Sequence, residues 1–117
     1  MLTIEKLRKY GADVDEGLAR CMNMEDFYIS LVKKVLADNR LPLLEQQVSE
    51  NDLDGAFETA HALKGMYANL SLTPLTKPVS EMTELLRSRT NTDYSTLLAD
   101  AKSQFETLYS LYENDKE

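Results

Sequence analysis

The chain has little of what covalent staples and metal chemistry require. It holds one cysteine, one histidine, no tryptophan, four glycines and three prolines in 117 residues. A single thiol, Cys21, excludes an internal disulfide and fits a reducing compartment, the cytoplasm, where it packs as a small hydrophobe. One imidazole cannot complete a zinc site. Nor can it supply the paired Glu-x-x-His motifs of a di-metal bundle, so Glu58-x-x-His61 is half a motif. With no glycine-rich phosphate loop there is no visible means of binding ATP, and no cofactor is expected. No apolar run nears the about 20 residues that span a bilayer, and "MLTIEKLRKY" is charged where a signal peptide needs an apolar core. No membrane association is therefore expected.

Positive charge is also scarce. Twenty acidic side chains face 13 basic ones, a net charge of −7, and the basic residues are not gathered in sequence. A nucleic-acid backbone would be repelled. Strand signals, internal repeats and linkers are missing too, so residues 1–117 read as a single domain with enough chain to bury a core unaided. The starting Met1 and the polar ending "YENDKE" suggest a free-standing protein.

What the sequence does contain is helical periodicity. Thr3 can cap "TIEKLRKY" with Gly11 just past its end, and Asp13 can cap "VDEGLARCM". Asn23 is expected to cap "NMEDFYISLVKKVLADN", with Phe27, Leu31 and Val35 as its stripe and Met24, Ile29 and Leu36 one step off. The pattern resumes in "LPLLEQQVSEN", as one helix bent at Pro42 or as two in series; the bent helix is preferred. Asp52 opens "DLDGAFETAHALKGMYANL", with a stripe of Leu53, Ala56, Phe57, Ala60, Leu63, Tyr67 and Leu70. Thr73 and Pro74 read as a cap and a first-turn proline for a helix carrying Leu75, Val79, Met82, Leu85 and Leu86. Pro78 is expected to remove a bond in its first turn or delay its start. Asp93 is a candidate cap for the last segment, in which Leu97, Leu98, Ala101, Phe105, Leu108 and Leu111 or Tyr112 recur. Four long amphipathic helices with short connections predict an all-α fold, an antiparallel four-helix bundle with one or two short N-terminal helices. A monomer is expected, because four stripes can cover one another.

The one histidine sits on the third bundle helix, in "ETAHALKGMYANL". The stripe centres near Ala60, which puts His61 on its flank and at least partly in water. Lys64 and Gly65 lie one turn on, and Glu58 one turn back. A glycine inside a helix costs about 1 kcal/mol against alanine, so Gly65 calls for a reason, and its direction away from the stripe favours clearance for an approaching group. With Ala68 and Leu72 it extends a solvent-side strip from His61. An unprotonated imidazole is a nucleophile, and a phosphoryl group on it brings close to two negative charges that a nearby ammonium would offset. No carboxylate cluster surrounds His61, so any Mg²⁺ would belong to a partner's acidic pocket.

"AHALKG" within this helix, preceded by "GADVDEGLARCMNMEDFYISLVKKVLAD", resembles a histidine-containing phosphotransfer domain of bacterial phosphorelays over nearly the whole chain. The resemblance implies a four-helix bundle whose exposed histidine takes a phosphoryl group from a receiver-domain aspartate or a histidine kinase and passes it to another receiver. It would form a covalent phosphohistidine without any kinase activity of its own. By position, His61 is then the phosphoacceptor, Lys64 the phosphate-stabilising residue and Gly65 the small residue that opens access. The chain departs from the family pattern at Ser71, where glycine is usual. It departs again at Thr83, where Glu or Gln often bonds the imidazole; Thr83, or Glu84 reaching in, would orient the ring. The competing readings are a non-catalytic module that docks a receiver or kinase without transfer, and a metal-dependent bundle enzyme, which one histidine disfavours.

Overall fold

Side-chain caps open the chain's short helices where the sequence offers them. Thr3 accepts a hydrogen bond from the Lys6 amide at 3.2 Å and starts α1 (Ile4–Tyr10), which ends on left-handed Gly11 at φ 113°. Asp13 accepts from the Glu16 amide to start α2 (Val14–Arg20). In the computed structural model, which describes residues 2–113, these are followed by α3 (Glu25–Ala37), α4 (Leu41–Ser49), α5 (Leu53–Asn69), α6 (Thr73–Arg87) and α7 (Ser95–Glu113). Positions 114–117 of the polar ending lie outside the described residues.

The link between α2 and α3 differs from expectation. Asn23 does not cap α3; it and Met22 adopt left-handed backbone, and the N-cap is Met24 with no side-chain bond. The buried stripe of α3 is also turned by one residue, to Tyr28, Val32, Val35 and Leu36, leaving Phe27 exposed. The phenol decides this. Tyr28 can be fully buried because its hydroxyl donates to the Leu70 carbonyl at 2.7 Å, which satisfies a polar atom that burial would otherwise penalise. Gly17 of α2 makes room for that ring, since a Cβ there would lie 2.7 Å from it.

The preferred bent helix is two helices in series. Asp38 to Arg40 interrupt it, with Arg40 folded back on Asp38 at 2.8 Å and the Asn39 side chain accepting from the Leu41 amide. Pro42 explains the break, because it has no N–H to return to Asp38 and its ring would strike that residue's carbonyl. At the start of α6 the cap falls one residue early, on Leu72, so that Thr73 and Pro74 are both inside the first turn. Pro78 neither delays the helix nor falls in its first turn; α6 runs through it, with the proline buried.

Packing follows the short connections. Asp54 meets Arg89 at 2.6 Å and Lys64 meets Glu84 at 3.4 Å, early-to-late pairings that set α5 and α6 antiparallel. Gln47 and Thr59 tie α4 to α5 at 2.7 Å, and Glu45 and Lys102 tie α4 to α7 at 3.1 Å. The Tyr10 hydroxyl reaches the Gln104 carbonyl and fastens α1 across α7. The bundle thus consists of α3 and α4 as one column, then α5, α6 and α7, an all-helical architecture as expected. Its core contains Leu44, Ala60, Leu63, Tyr67, Leu75, Val79, Met82, Leu86, Ala101 and Leu108, with Cys21 buried as a free thiol. Each large member contributes about 1.5 to 3 kcal/mol of hydrophobic stabilisation. No helix among the described residues is long and apolar enough to cross a membrane.

Candidate functional site

The Asp52 carboxylate accepts from the Gly55 amide and opens α5, and two turns later the helix presents His61. Ala56, Thr59, Ala60, Leu63 and Tyr67 face the core, so His61, one step past Ala60, falls on the exposed side. Gly65 is exposed as well, with nothing within 4 Å of where its Cβ would be. The glycine therefore answers no packing demand inside the chain, and it leaves a stretch of helix backbone bare beside the imidazole. Ala68 continues this strip half-buried, but Leu72 does not. After Asn69 the chain turns through Ser71 at φ 55° and carries Leu72 wholly into the core.

Lys64 leans from α5 toward α6, with its ammonium 3.4 Å from a Glu84 oxygen. Glu84 also accepts from Arg87 at 3.3 Å. Arg87, and after it Lys64, hold the Glu84 carboxyl below the usual carboxylate range. Glu84 is thus engaged by cations and does not reach the imidazole. Thr83 is fully buried, and its hydroxyl donates to the Val79 carbonyl at 2.7 Å. No hydrogen bond joins it to His61 among the described residues.

Sequence reasoning missed the ring beside His61. Phe57, one turn earlier, stacks on the imidazole with centroids 5.6 Å apart and planes 30° from parallel. The Arg87 and Arg89 guanidiniums lie 5.2 Å and 5.0 Å from the same phenyl centroid. The spacing i to i+4 between Phe57 and His61 is the signal in the sequence; helical periodicity places Phe57 in the core stripe, whereas the ring is only half-buried. Three cations, Lys64, Arg87 and Arg89, therefore gather on the His61 side of a chain whose net charge is −7.

On the other flank of α5, Leu31, Val35, Met66 and Leu70 line a shallow groove of about 240 Å³ together with Lys34, Asp38 and Asn69. One turn before Leu31, Phe27 is exposed, as are Met22 and Met24. The site is therefore an exposed imidazole between a cationic edge and an apolar one. No group of three or more His, Cys, Asp or Glu able to hold a metal occurs among the described residues. Such an arrangement suits nucleophilic attack by a ring nitrogen on an electrophile presented by another molecule, with charge compensation at hand.

A family model described as the Hpt domain matches residues 34–114. The chain belongs to the Hpt domain family. The match spans α4 to α7 and most of α3's last turn, so it includes His61 and its surroundings. No curated protein and no solved structure matches the sequence. An Hpt domain is a histidine phosphotransfer module of two-component signalling, and such modules work with receiver domains and kinases in phosphorelays. This Hpt domain has one histidine, His61.

Proposed function

We propose that this Hpt domain carries a phosphoryl group on His61 between partners of a bacterial phosphorelay, taking it from a receiver aspartate or a histidine kinase and giving it to another receiver. The observation that carries the reading is the exposure of His61 beside bare Gly65, with Lys64 one turn on. In the forward step a ring nitrogen, Nε2, donates its lone pair to phosphorus while the P–O bond of the acyl phosphate breaks. The aspartate leaves with that electron pair as a free carboxylate. The imidazole keeps its proton on Nδ1. Lys64 exchanges part of its contact with Glu84 for the phosphoryl oxygens, because two to three strong acceptor oxygens outcompete one shared carboxylate. Gly65 leaves the space through which the partner's acidic pocket approaches. Phosphoryl transfer demands little more than such positioning and charge compensation.

Docking would use the apolar edge. Met22, Met24 and Phe27 are exposed at the corner between α2 and α3, and Leu31 continues them to Met66 on the histidine helix. A strip of this kind, rimmed by polar residues, is the ordinary mark of a protein-binding surface. A competing reading, a docking module without transfer, draws on Thr83, whose hydroxyl is turned to Val79 and away from the imidazole. Incubation with a phosphorylated receiver separates the two. The expected result is an acid-labile, base-stable phosphoprotein that His61→Gln cannot form; a receiver that binds without losing its phosphoryl group selects the docking module.

A further inference from the structure

Among the described residues His61 has no hydrogen-bond partner to set its ring, and the two residues expected to orient it are engaged elsewhere, Thr83 with Val79 and Glu84 with Lys64 and Arg87. A free imidazole on a helix samples several χ1 and χ2 wells, whereas in-line attack needs one geometry. The ring that touches it is Phe57, and Phe57 is itself held. Arg87 and Arg89 lie over it at 5.2 Å and 5.0 Å. Arg87 is anchored on Glu84 at 3.3 Å. Arg89, in left-handed backbone just past α6, is anchored on Asp54 at 2.6 Å and on the Leu86 carbonyl at 2.8 Å. The guanidiniums are thus fixed at both ends of the cluster, from the first turn of α5 to the last turn of α6.

We infer that Phe57, clamped by Arg87 and Arg89, is the positioning residue for His61: its face replaces a hydrogen bond in fixing the plane of the imidazole for phosphoryl transfer. This rests on the phosphotransfer reading. Side chains on a helix tilt toward its N-terminus, so His61 naturally lies over the turn that Phe57 occupies. A stack at this separation is in the favourable range for aromatic pairs. The clamp adds to it, since each cation attracts the phenyl face and keeps it from swinging into solvent.

The test reads the ring and the reaction separately in the full-length chain. Imidazole proton resonances are recorded for wild type, Phe57→Leu and Phe57→Tyr, and the initial rate of phosphoryl uptake from a phosphorylated receiver is measured for each. Phe57→Leu is expected to move the His61 resonances downfield, as the ring current is lost, and to slow uptake by about threefold to tenfold. Phe57→Tyr should restore both. Arg89→Gln, which loosens the clamp at the surface, should shift both readouts in the same direction by a smaller amount, and it serves if Phe57→Leu folds poorly. Wild-type uptake by Phe57→Leu would overturn the inference, and so would slowed uptake with unmoved resonances, because the ring would then be acting through packing alone. If wild type takes up no phosphoryl group while the resonances still shift as expected, the phosphotransfer reading has failed, and the positioning role falls with it.

Discussion

Replacing Lys64 by alanine isolates the charge term from the fold. The ammonium is one-third exposed and its partner Glu84 more so, at 33% and 58% of side-chain area, so the pair is of the surface kind that adds little to stability. The melting temperature should stay within about 2 °C of wild type. The reaction should respond differently. Residues at i and i+3 on a helix have Cβ atoms about 5 to 6 Å apart. At about 6 Å a unit charge pair is worth about 0.7 kcal/mol in bulk water and about 3 kcal/mol at an effective dielectric of 20. A rim site lies between these limits, so losing the cation should slow phosphoryl uptake by about tenfold. Single-turnover uptake from a phosphorylated receiver, with a thermal melt of the same sample, measures both effects. An uptake rate for Lys64→Ala within twofold of wild type would refute the electrostatic argument.

Two further outcomes follow from the geometry. Gly65→Ala meets no neighbour, so it should gain about 1 kcal/mol of helix propensity, a rise in melting temperature of about 4 °C for a chain of this length; Gly65→Leu should keep the fold and slow uptake, and an unchanged rate would mean that no partner needs the clearance. Burial pushes the Tyr28 phenol from 10.0 to about 12, so its contribution to stability is complete below pH 10 and is lost as the pH rises toward 12, when the unfolded chain ionises first. The urea midpoint should therefore fall between pH 10 and 12, with a smaller fall in Tyr28→Phe; equal slopes in the two proteins would contradict the assignment.

Much of the bundle was legible because it depends on local chemistry. Thr3, Asp13 and Asp52 cap where short polar side chains before an apolar period are expected to cap, and Gly11 ends a helix in the backbone region that glycine tolerates. The turned stripe of α3 was not legible, since burying Tyr28 in place of Phe27 depends on a carbonyl 42 residues away. Pro42 by itself is compatible with a bend or a break, and the side chains that fill the interruption, Arg40 on Asp38 and Asn39 on the Leu41 amide, carry no periodic signal. At the site, the exposure of His61 and the clearance at Gly65 follow from the period of one helix. The partners of Glu84 and the two guanidiniums over Phe57 come from the pairing of α5 with α6, and helical spacing carries no information about that register.

The far end of the histidine helix has a consequence for how the molecule can be divided. Arg20 donates to the Ala68 carbonyl at 2.5 Å, Tyr28 to that of Leu70 at 2.7 Å, and the Asp13 amide to that of Ser71 at 2.9 Å. All three donors precede residue 34, where the family's signature begins. A fragment pruned to the signature would retain the imidazole but lose those three long-range bonds, and it would strip Val32 from the hydrophobic interior. The recognisable portion of the chain thus omits its own fastening: the residues before position 34 serve as the bolt that closes the far end of the helix carrying His61.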